Sequence, residues 1–396
     1  MSGASGSILT INGGSSSIKF ALFAPQGGLQ MTQCGRIERI GSADSSLVLM
    51  DGSGTTVATR SLGAIDRSGA AEILIHWLQQ GESHAHLLAI GHRVVHGGPN
   101  FHTPLVMSAE VIEELRRLTE LDPQHMPQEL FLSEAFGRRF PQLPQVACFD
   151  TAFHHDLPLL AQLLPIPRRY AAQGVRRYGF HGLSYEYLMS EIMRIDGARA
   201  AGGRIILAHL GSGASLVAMR AGKPVDTSMG FTPAAGVPMG TRSGDLDPGL
   251  AGYLARTEGM DARQFDELVN FKSGMLGVSE TSGDMRELLA CQAVDSRAAE
   301  AIGLFCYQVR KCIGAYAAAL GGLDMLVFSG GIGEQASQLR GQICADLGFL
   351  GVALDPRQNL DNAMLVSQAA ATVRVRVLRT NEELVIARSV SALLGL

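Results

Sequence analysis

The six cysteines, at positions 34, 148, 291, 306, 312 and 344, include no C-x-x-C pair and no zinc-like spacing. That excludes a dithiol centre or a zinc ribbon and makes them buried thiols of a reducing compartment. No dense basic run occurs either: 33 Lys and Arg stand against 37 Asp and Glu, a net charge of −4, which excludes a nucleic-acid backbone as partner. The opening "MSGASGS" has neither the basic segment nor the apolar core of a secretory leader. The longest apolar region of helical character, 301–323, is broken by Gln308, Arg310 and Lys311, so it reads as a core helix and not a membrane span. A cytoplasmic protein without membrane contact is expected. G-x-x-x-x-G-K-[ST] cannot be matched near Lys19, so any phosphate cradle there is not a Walker loop.

What the chain does have is apolar material for large buried sheets, 46% hydrophobic against 18% charged residues over 396 positions. That length suggests two or three domains, with two lobes around a cleft as the default picture. Short apolar runs that stop at Gly, Asp or Asn recur: "SILTIN", "LLAIGHRVVHGG", "QVACFDTAF", "RIILAHLGSG" and "DMLVFSGGIGE". Between them lie segments of helical period such as "SAEVIEELRRLTELD", with Val111, Ile112, Leu115 and Leu118 on one face. The alternation predicts an α/β protein whose functional loops gather at strand ends. Asn12-x-Gly14-Ser15 is echoed by His209-x-Gly211-Ser212, half a chain away, as expected if one architectural unit occurs twice.

"INGGSSSIKF" looks like a linker but is flanked by strand-like residues, with Ile18, Phe20 and Leu22 alternating against Lys19, Ala21 and Phe23. Residues 13–16 are then a hairpin tip where glycine permits positive φ and amide N–H groups point outward together, a nest suited to phosphate oxygens. A tight hairpin with solvated serines is the competing reading. "HLGSG" and "SGGIGE" bring the strand-terminating glycine turns to three, which favours a nucleotide cradle over hairpin geometry alone.

Arg93 lies inside an apolar strand context, between His92 and His96. A buried guanidinium requires an anion, either a protein carboxylate or an anionic substrate. Arg242 rides a Gly/Pro-rich loop beside Asp245 and Asp247, which offer it local pairing. Asp150 ends an apolar strand as either a helix N-cap or an orienting carboxylate. His181 sits in a glycine-flanked turn before a helix that Ser184 is expected to cap. Thr380 and Glu383 have capping-box spacing, leaving Asn381 and Glu382 to face elsewhere, where Glu382 could reach magnesium.

"INGGSSSIKF", "GHRVVHGG", "FDTAFH", "YGFHG", "AHLGSGAS", "MGTRSGDLDPG", "SGGIGE" and "TNEELVIA" follow one another in the order they take in the acetate kinase (short-chain acyl kinase) family, which this chain resembles from about Ile8 to its end. The resemblance implies a two-lobed, duplicated actin/sugar-kinase-like (ribonuclease H-like) α/β fold with a central cleft. It implies an acyl-substrate lobe over 1–150 carrying the C-terminal helix 384–396, and a nucleotide-binding and dimerising lobe over 151–383. It implies Mg²⁺, with Mn²⁺ as substitute, on Asn12 and Glu382, and nucleotide phosphates near Ser15, Ser17 and Lys19. ATP or ADP would lie on His209, Leu210, Gly211, Ser212 and Gly213, on Asp284, Met285 and Arg286, and on Gly331, Ile332, Gly333, Glu334 and Gln335. Arg93, His181, Arg242 and Asp150 would surround the reacting groups, and Val95, Phe180 and Pro233 would line the acyl pocket.

The activity so implied is reversible, direct in-line phosphoryl transfer from ATP to acetate by a homodimer. Propionate or butyrate is the alternative acceptor within the family, and a non-catalytic actin-like nucleotide module is the alternative outside it. Two anions must meet, and each unit-charge pair at about 4 Å costs roughly 4 kcal/mol at an effective dielectric near 20, so cations drawn from distant segments are the expected catalyst. Gln124 stands where the family often has a hydrophobic residue, which leaves acetate against propionate open.

Overall fold

A computed structural model of the protein describes residues 6–14, 16–80 and 87–396. The chain forms two compact units, one of residues up to Phe153 together with Asn381–Leu396, the other of His154–Thr380.

The first unit is built on eight strands: β1 (Ser7–Gly13), β2 (Ile18–Ala24), β3 (Gln30–Glu38), β4 (Ser45–Asp51), β5 (Thr56–Gly63), β6 (Leu87–Val94), β7 (Leu105–Val106) and β8 (Gln145–Phe149). They lie side by side in the order β5-β4-β3-β2-β1-β6-β8-β7. β1 pairs antiparallel with β2 and parallel with β6, and β6 parallel with β8. Both faces of the central strands are covered, so they read as continuous apolar runs instead of alternating ones. Helices α1 (Arg67–Gln80) and α3 (Met126–Arg139) cover one face, where Leu74, Ile75, Leu132 and Phe136 pack on Ile11, Ile18, Phe20, Leu22 and Ile90. The short helix α2 (Ala109–Arg117) leans on α3 through Leu115. The C-terminal helix Glu382–Leu394 covers the other face, against β1 and β6. The alternation expected of β2 therefore extends only to Lys19, because Ala21 and Phe23 are buried as well.

Gly91 makes room for that helix: a Cβ there would stand 2.4 Å from Ile386 Cγ2 and 2.7 Å from Val390 Cγ2. Gly91→Ala is expected to lower stability by about 1–3 kcal/mol through overpacking. The midpoint of urea unfolding, read from the single tryptophan, Trp77 of this unit, checks it.

The second unit repeats the plan in five strands: β9 (Ile205–Leu210), β10 (Ala214–Arg220), β11 (Lys223–Thr227), β12 (Met325–Ser329) and β13 (Arg374–Val377). Their order is β11-β10-β9-β12-β13, with β9 antiparallel to β10 and parallel to β12, and β12 parallel to β13. Strand for strand this is β3-β2-β1-β6-β8 of the first unit, the duplicated ribonuclease H-like sheet of the actin and sugar-kinase class. Asn12 and His209, equated by the sequence echo, are each the penultimate residue of the matching strand. The apolar region 301–323 falls largely on the helix Ser296–Leu320, which packs on β9, β10 and β11 and buries Phe305, Val309 and Ile313. No helix among the described residues is long and apolar enough to cross a membrane. The cysteines form no disulfide, and burial pushes the thiols of Cys306, Cys312 and Cys344 up to about 11, 12 and 12, away from reactive thiolate.

Candidate active site

In the first unit the antiparallel pairing of β1 with β2 makes residues 13–17 a hairpin, with Asn12 opposite Lys19. The Gly14 N–H closes the turn on the Ser17 carbonyl at 2.8 Å. Neither Gly13 nor Gly14 takes positive φ, contrary to expectation. What they provide is room, since a Cβ on Gly13 would come within 3.0 Å of Leu132 Cδ1 and one on Gly14 within 3.2 Å of Ser17 Oγ. Two arginines hold the hairpin from behind: Arg67 Nη2 donates to the Gly14 carbonyl at 2.7 Å and Arg93 Nη1 to the Gly13 carbonyl at 3.1 Å. Lys19 is exposed; Ser15 lies outside the described residues.

Arg93, near the end of β6, is the centre of this half. Its Nε and Nη2 both donate to Oδ2 of Asp150, at 2.9 and 2.5 Å, across 57 positions of sequence. Asp150 follows β8, which lies beside β6 in the sheet. It is the guanidinium's partner, and the N-cap alternative falls away. A second carboxylate that sequence reading passed over, Glu129 of α3, accepts from Arg93 Nη1 at 3.3 Å and from the Val95 N–H at 2.7 Å. Of the two partners foreseen for Arg93, the protein carboxylate is thus present twice.

Burial raises these acids, Glu129 to about 8 and Asp150 to about 6, against the pull of Arg93 on both. Burial alone would lower the Arg93 pKa, but Asp150, Glu129 and Glu382 outweigh it and hold the cation firmly charged. The flanking His92 is buried on Gln145 at 2.6 Å, and burial depresses it to about 4, so it stays neutral.

The C-terminal helix brings in Glu382. Its N-cap is Asn381, whose Oδ1 accepts from the Leu384 N–H at 2.9 Å, so the expected Thr380–Glu383 capping box does not form. Glu382 and Glu383 instead accept from Asn12 Nδ2 at 2.7 and 3.4 Å. Burial first, then the neighbouring Glu382, raises the Glu383 carboxyl. Among the described residues no three His, Cys, Asp or Glu side chains gather as a metal cage. Asp150 Oδ1 is buried without a hydrogen-bond partner among them. A sparse oxygen donor set of this kind fits magnesium, which keeps several waters and takes one or two carboxylates plus phosphate oxygens.

In the second unit four separate segments meet. The 209–213 turn joins β9 to β10, and Gly330, which opens the short helix after β12, has φ 74 and lies so close that a Cβ there would stand 2.6 Å from the Leu210 carbonyl. His209 Nδ1 lies 3.2 Å from Ser329 Oγ. His181 Nδ1 lies 2.8 Å from Ser215 Oγ, which also pairs with the Tyr185 hydroxyl, and the two imidazoles are 4.7 Å apart. His181 itself caps the helix Gly182–Ala201 in the left-handed conformation, φ 60 and ψ 27, and Ser184 lies buried inside that helix instead of capping it. Non-glycine residues so held are costly and gather at functional sites.

Arg242 reaches the same place. Its Nη1 donates to the Pro233 carbonyl at 3.2 Å, and the Cβ position of Gly213 is 3.7 Å from that atom and 3.3 Å from His181 Nε2. The neighbouring aspartates bind backbone N–H groups: Asp245 accepts from the Gly236 N–H and Asp247 from the Gly249 N–H. The Gly240 N–H donates to the Ser212 carbonyl at 3.4 Å, and Gly240 abuts Gly283, which places Asp284 beside this loop. Asp284 caps its own helix and pairs with exposed Arg286, whose hydrogen bond lowers the Asp284 pKa. Met285 is buried, so a ligand would meet only its backbone.

In place of the expected glycine turn after β12, the chain forms the short helix Gly330–Gln335, in which Ile332 is half-buried, Gly333 buried, and Gly331 and Gln335 exposed, while Glu334 Oε1 accepts from the Gly330 N–H. Fully buried Arg340, which carries no signal in the sequence, grips the Gly333 and Glu334 carbonyls, Asn359 and Asn362, with no carboxylate partner among the described residues; burial lowers it to about 10. The expected pocket residues divide between the units: Val95, buried next to Arg93, in the first, and Phe180, buried, with Pro233, half-buried, in the second.

Known proteins resemble this chain over nearly its whole length. An acetate kinase of Rhodopseudomonas palustris is 44% identical over 389 residues, 97% of either chain. A propionate kinase of Citrobacter rodentium is 43% identical over 389 residues, 97% of this chain and 96% of its own. The crystal structure of a propionate kinase from Francisella tularensis matches with a TM-score of 0.90 at 35% identity, covering 97% of this chain and 98% of that one. Residues 7–388 match the acetokinase family, and by that extent the chain belongs to it.

Proposed function

We propose that the protein transfers the γ-phosphoryl group of ATP to acetate, reversibly, giving acetyl phosphate and ADP. The observation that carries the reading is the arrangement around Arg93: a buried, permanently charged guanidinium, fixed by Asp150 and Glu129 in a chain of the acetokinase family. An acetate oxygen forms the new P–O bond as the bond from the γ-phosphorus to the β-phosphate oxygen breaks, and the electron pair leaves on ADP. No proton need move, because the acid is ionised at neutral pH.

The work divides between the units. In the first, Arg93 would orient the acid with Val95 against its methyl group, and Asp150 would keep the guanidinium in register. Ser17 and Lys19 are suited to phosphate oxygens at the hairpin. In the second, the 209–213 turn and residues 331–335, with Asp284 and Arg286, would hold the nucleotide, while His181 and Arg242 would stabilise charge on the phosphoryl group in flight. Asn12 and Glu382 would hold magnesium, or manganese in its place, which when bound neutralises phosphate charge. Membership of the family supports a homodimer built through the second unit. The charge balance and the family support a cytoplasmic enzyme of small substrates.

Propionate is the second acceptor to consider, since the Citrobacter relative is a propionate kinase and Gln124 is half-buried just before α3. The test is to incubate the protein with Mg-ATP and acetate, propionate or butyrate and to trap acyl phosphate as the hydroxamate. Hydroxamate with acetate is expected. Absence of product with every acid, from folded protein that binds ATP, would leave an actin-like nucleotide module as the better account.

A further inference from the structure

We propose that Glu129 is a positioning residue that sets the span between the charged anchor for the acid and the apolar wall beside it, and so takes part in acyl-length selection. The inference deepens the function proposed above and rests on it. One carboxylate oxygen holds Arg93 Nη1 at 3.3 Å, and the other holds the Val95 N–H at 2.7 Å. Arg93 and Val95 are two residues apart, so a single rigid group fixes both the direction of the guanidinium and the backbone that carries the Val95 side chain. Glu129 is 4% exposed, on a helix anchored in the core by Leu132 and Phe136.

A purely structural role does not require this arrangement. Asp150 alone already engages Nε and Nη2 of Arg93. A second buried carboxylate on the same cation adds a desolvation penalty that the fold does not need to bear. What it adds is angular restraint on Nη1, which it shares with the Gly13 carbonyl. Both carboxyl oxygens of Glu129 accept here, one from Arg93 Nη1 and one from the Val95 N–H. Glutamine can accept at only one, because its NH₂ would then face either the Val95 N–H or the Arg93 Nη1–H, donor to donor. Aspartate is one methylene short of spanning both.

The experiment compares the full-length protein with Glu129→Gln, Glu129→Asp and Glu129→Ala. At saturating Mg-ATP, KM and kcat are measured for acetate and propionate, together with KM for ATP and the urea midpoint. In Glu129→Gln, KM for acetate should rise by about tenfold or more, with kcat and KM for ATP changing much less. The acetate-to-propionate ratio of kcat/KM should move by about fivefold or more, within the range that small geometric changes in an acyl pocket produce. Glu129→Asp should fall between the wild type and Glu129→Gln, and it decides the matter if Glu129→Gln does not fold. Unchanged acid KM and selectivity in folded variants would overturn the inference, as would a uniform defect in which kcat and stability fall and KM for acid and for ATP rise alike. A wild-type protein that phosphorylates no acid would instead overturn the function on which the inference rests.

Discussion

Arg242→Ala should lower kcat by about a thousandfold or more while leaving ATP binding within a few-fold of wild type, on the scale set by arginines that stabilise phosphoryl transfer in trans or in cis. The acid and the γ-phosphate are both anions, and their repulsion grows as they approach, so a cation that acts on the phosphoryl group contributes most in the transition state and little in the ground state. Arg242 is suited to that task by the way it is held. Its Nη1 donates to the Pro233 carbonyl, which fixes the direction in which the guanidinium points. The aspartates that follow it are occupied by backbone N–H groups of the same loop. Arg242→Lys keeps the charge but loses the planar fork, and should recover only part of the lost turnover. Hydroxamate formation and equilibrium ATP binding, measured side by side, separate the two effects. Near-normal turnover in well-folded Arg242→Ala would remove the residue from the mechanism.

The places where chemistry-bearing segments lie were legible because their signal is local. Strand, polar residue, glycine turn and strand can be read within a dozen residues, and the strand order found in both units bears out the four-residue echo between Asn12 and His209. Pairing is not local, and there the reading stopped. Arg93 and Asp150 are 57 positions apart, and nothing in either segment says that the sheet sets β6 beside β8. Glu129 was overlooked for a different reason, since "MPQELFLSE" looks like an ordinary amphipathic helix with a solvated acid. Helical spacing held the missing signal: Met126, Glu129, Leu130 and Ser133 recur at three, four and seven residues, and all four are buried. The cap assignments failed by one to three residues. Asn381 outcompetes Thr380 as the capping side chain, and His181 caps through a left-handed backbone that no residue type announces.

Asp150→Ala should destabilise the first unit by about 3–5 kcal/mol, because it leaves the Nε and Nη2 donors of Arg93 without their carboxylate. Asp150→Asn keeps the shape and one acceptor, and separates the charge from the packing. Asp150 titrates near 6 in the folded protein, above its unfolded value of about 3.9, so between about pH 4 and 6 the folded state holds more proton than the unfolded state. Its contribution to stability is therefore fully present below pH 4 and is lost as pH rises through 6. The difference in unfolding free energy between wild type and Asp150→Asn should accordingly shift against the wild type by roughly 2 kcal/mol between pH 4 and 6.5 and change little more above that. Urea titrations followed by Trp77, which packs on Phe20 in the same unit with ring centroids 4.8 Å apart, read this directly. A constant difference across that range would mean that Asp150 is not held above its ordinary pKa. The sign matters for function, since it means that the protein keeps Asp150 ionised at neutral pH at a cost to its own fold. Burial of both partners imposes that cost, as it does on buried ion pairs generally, and the charge left on Asp150 holds Arg93 charged and fixed in direction.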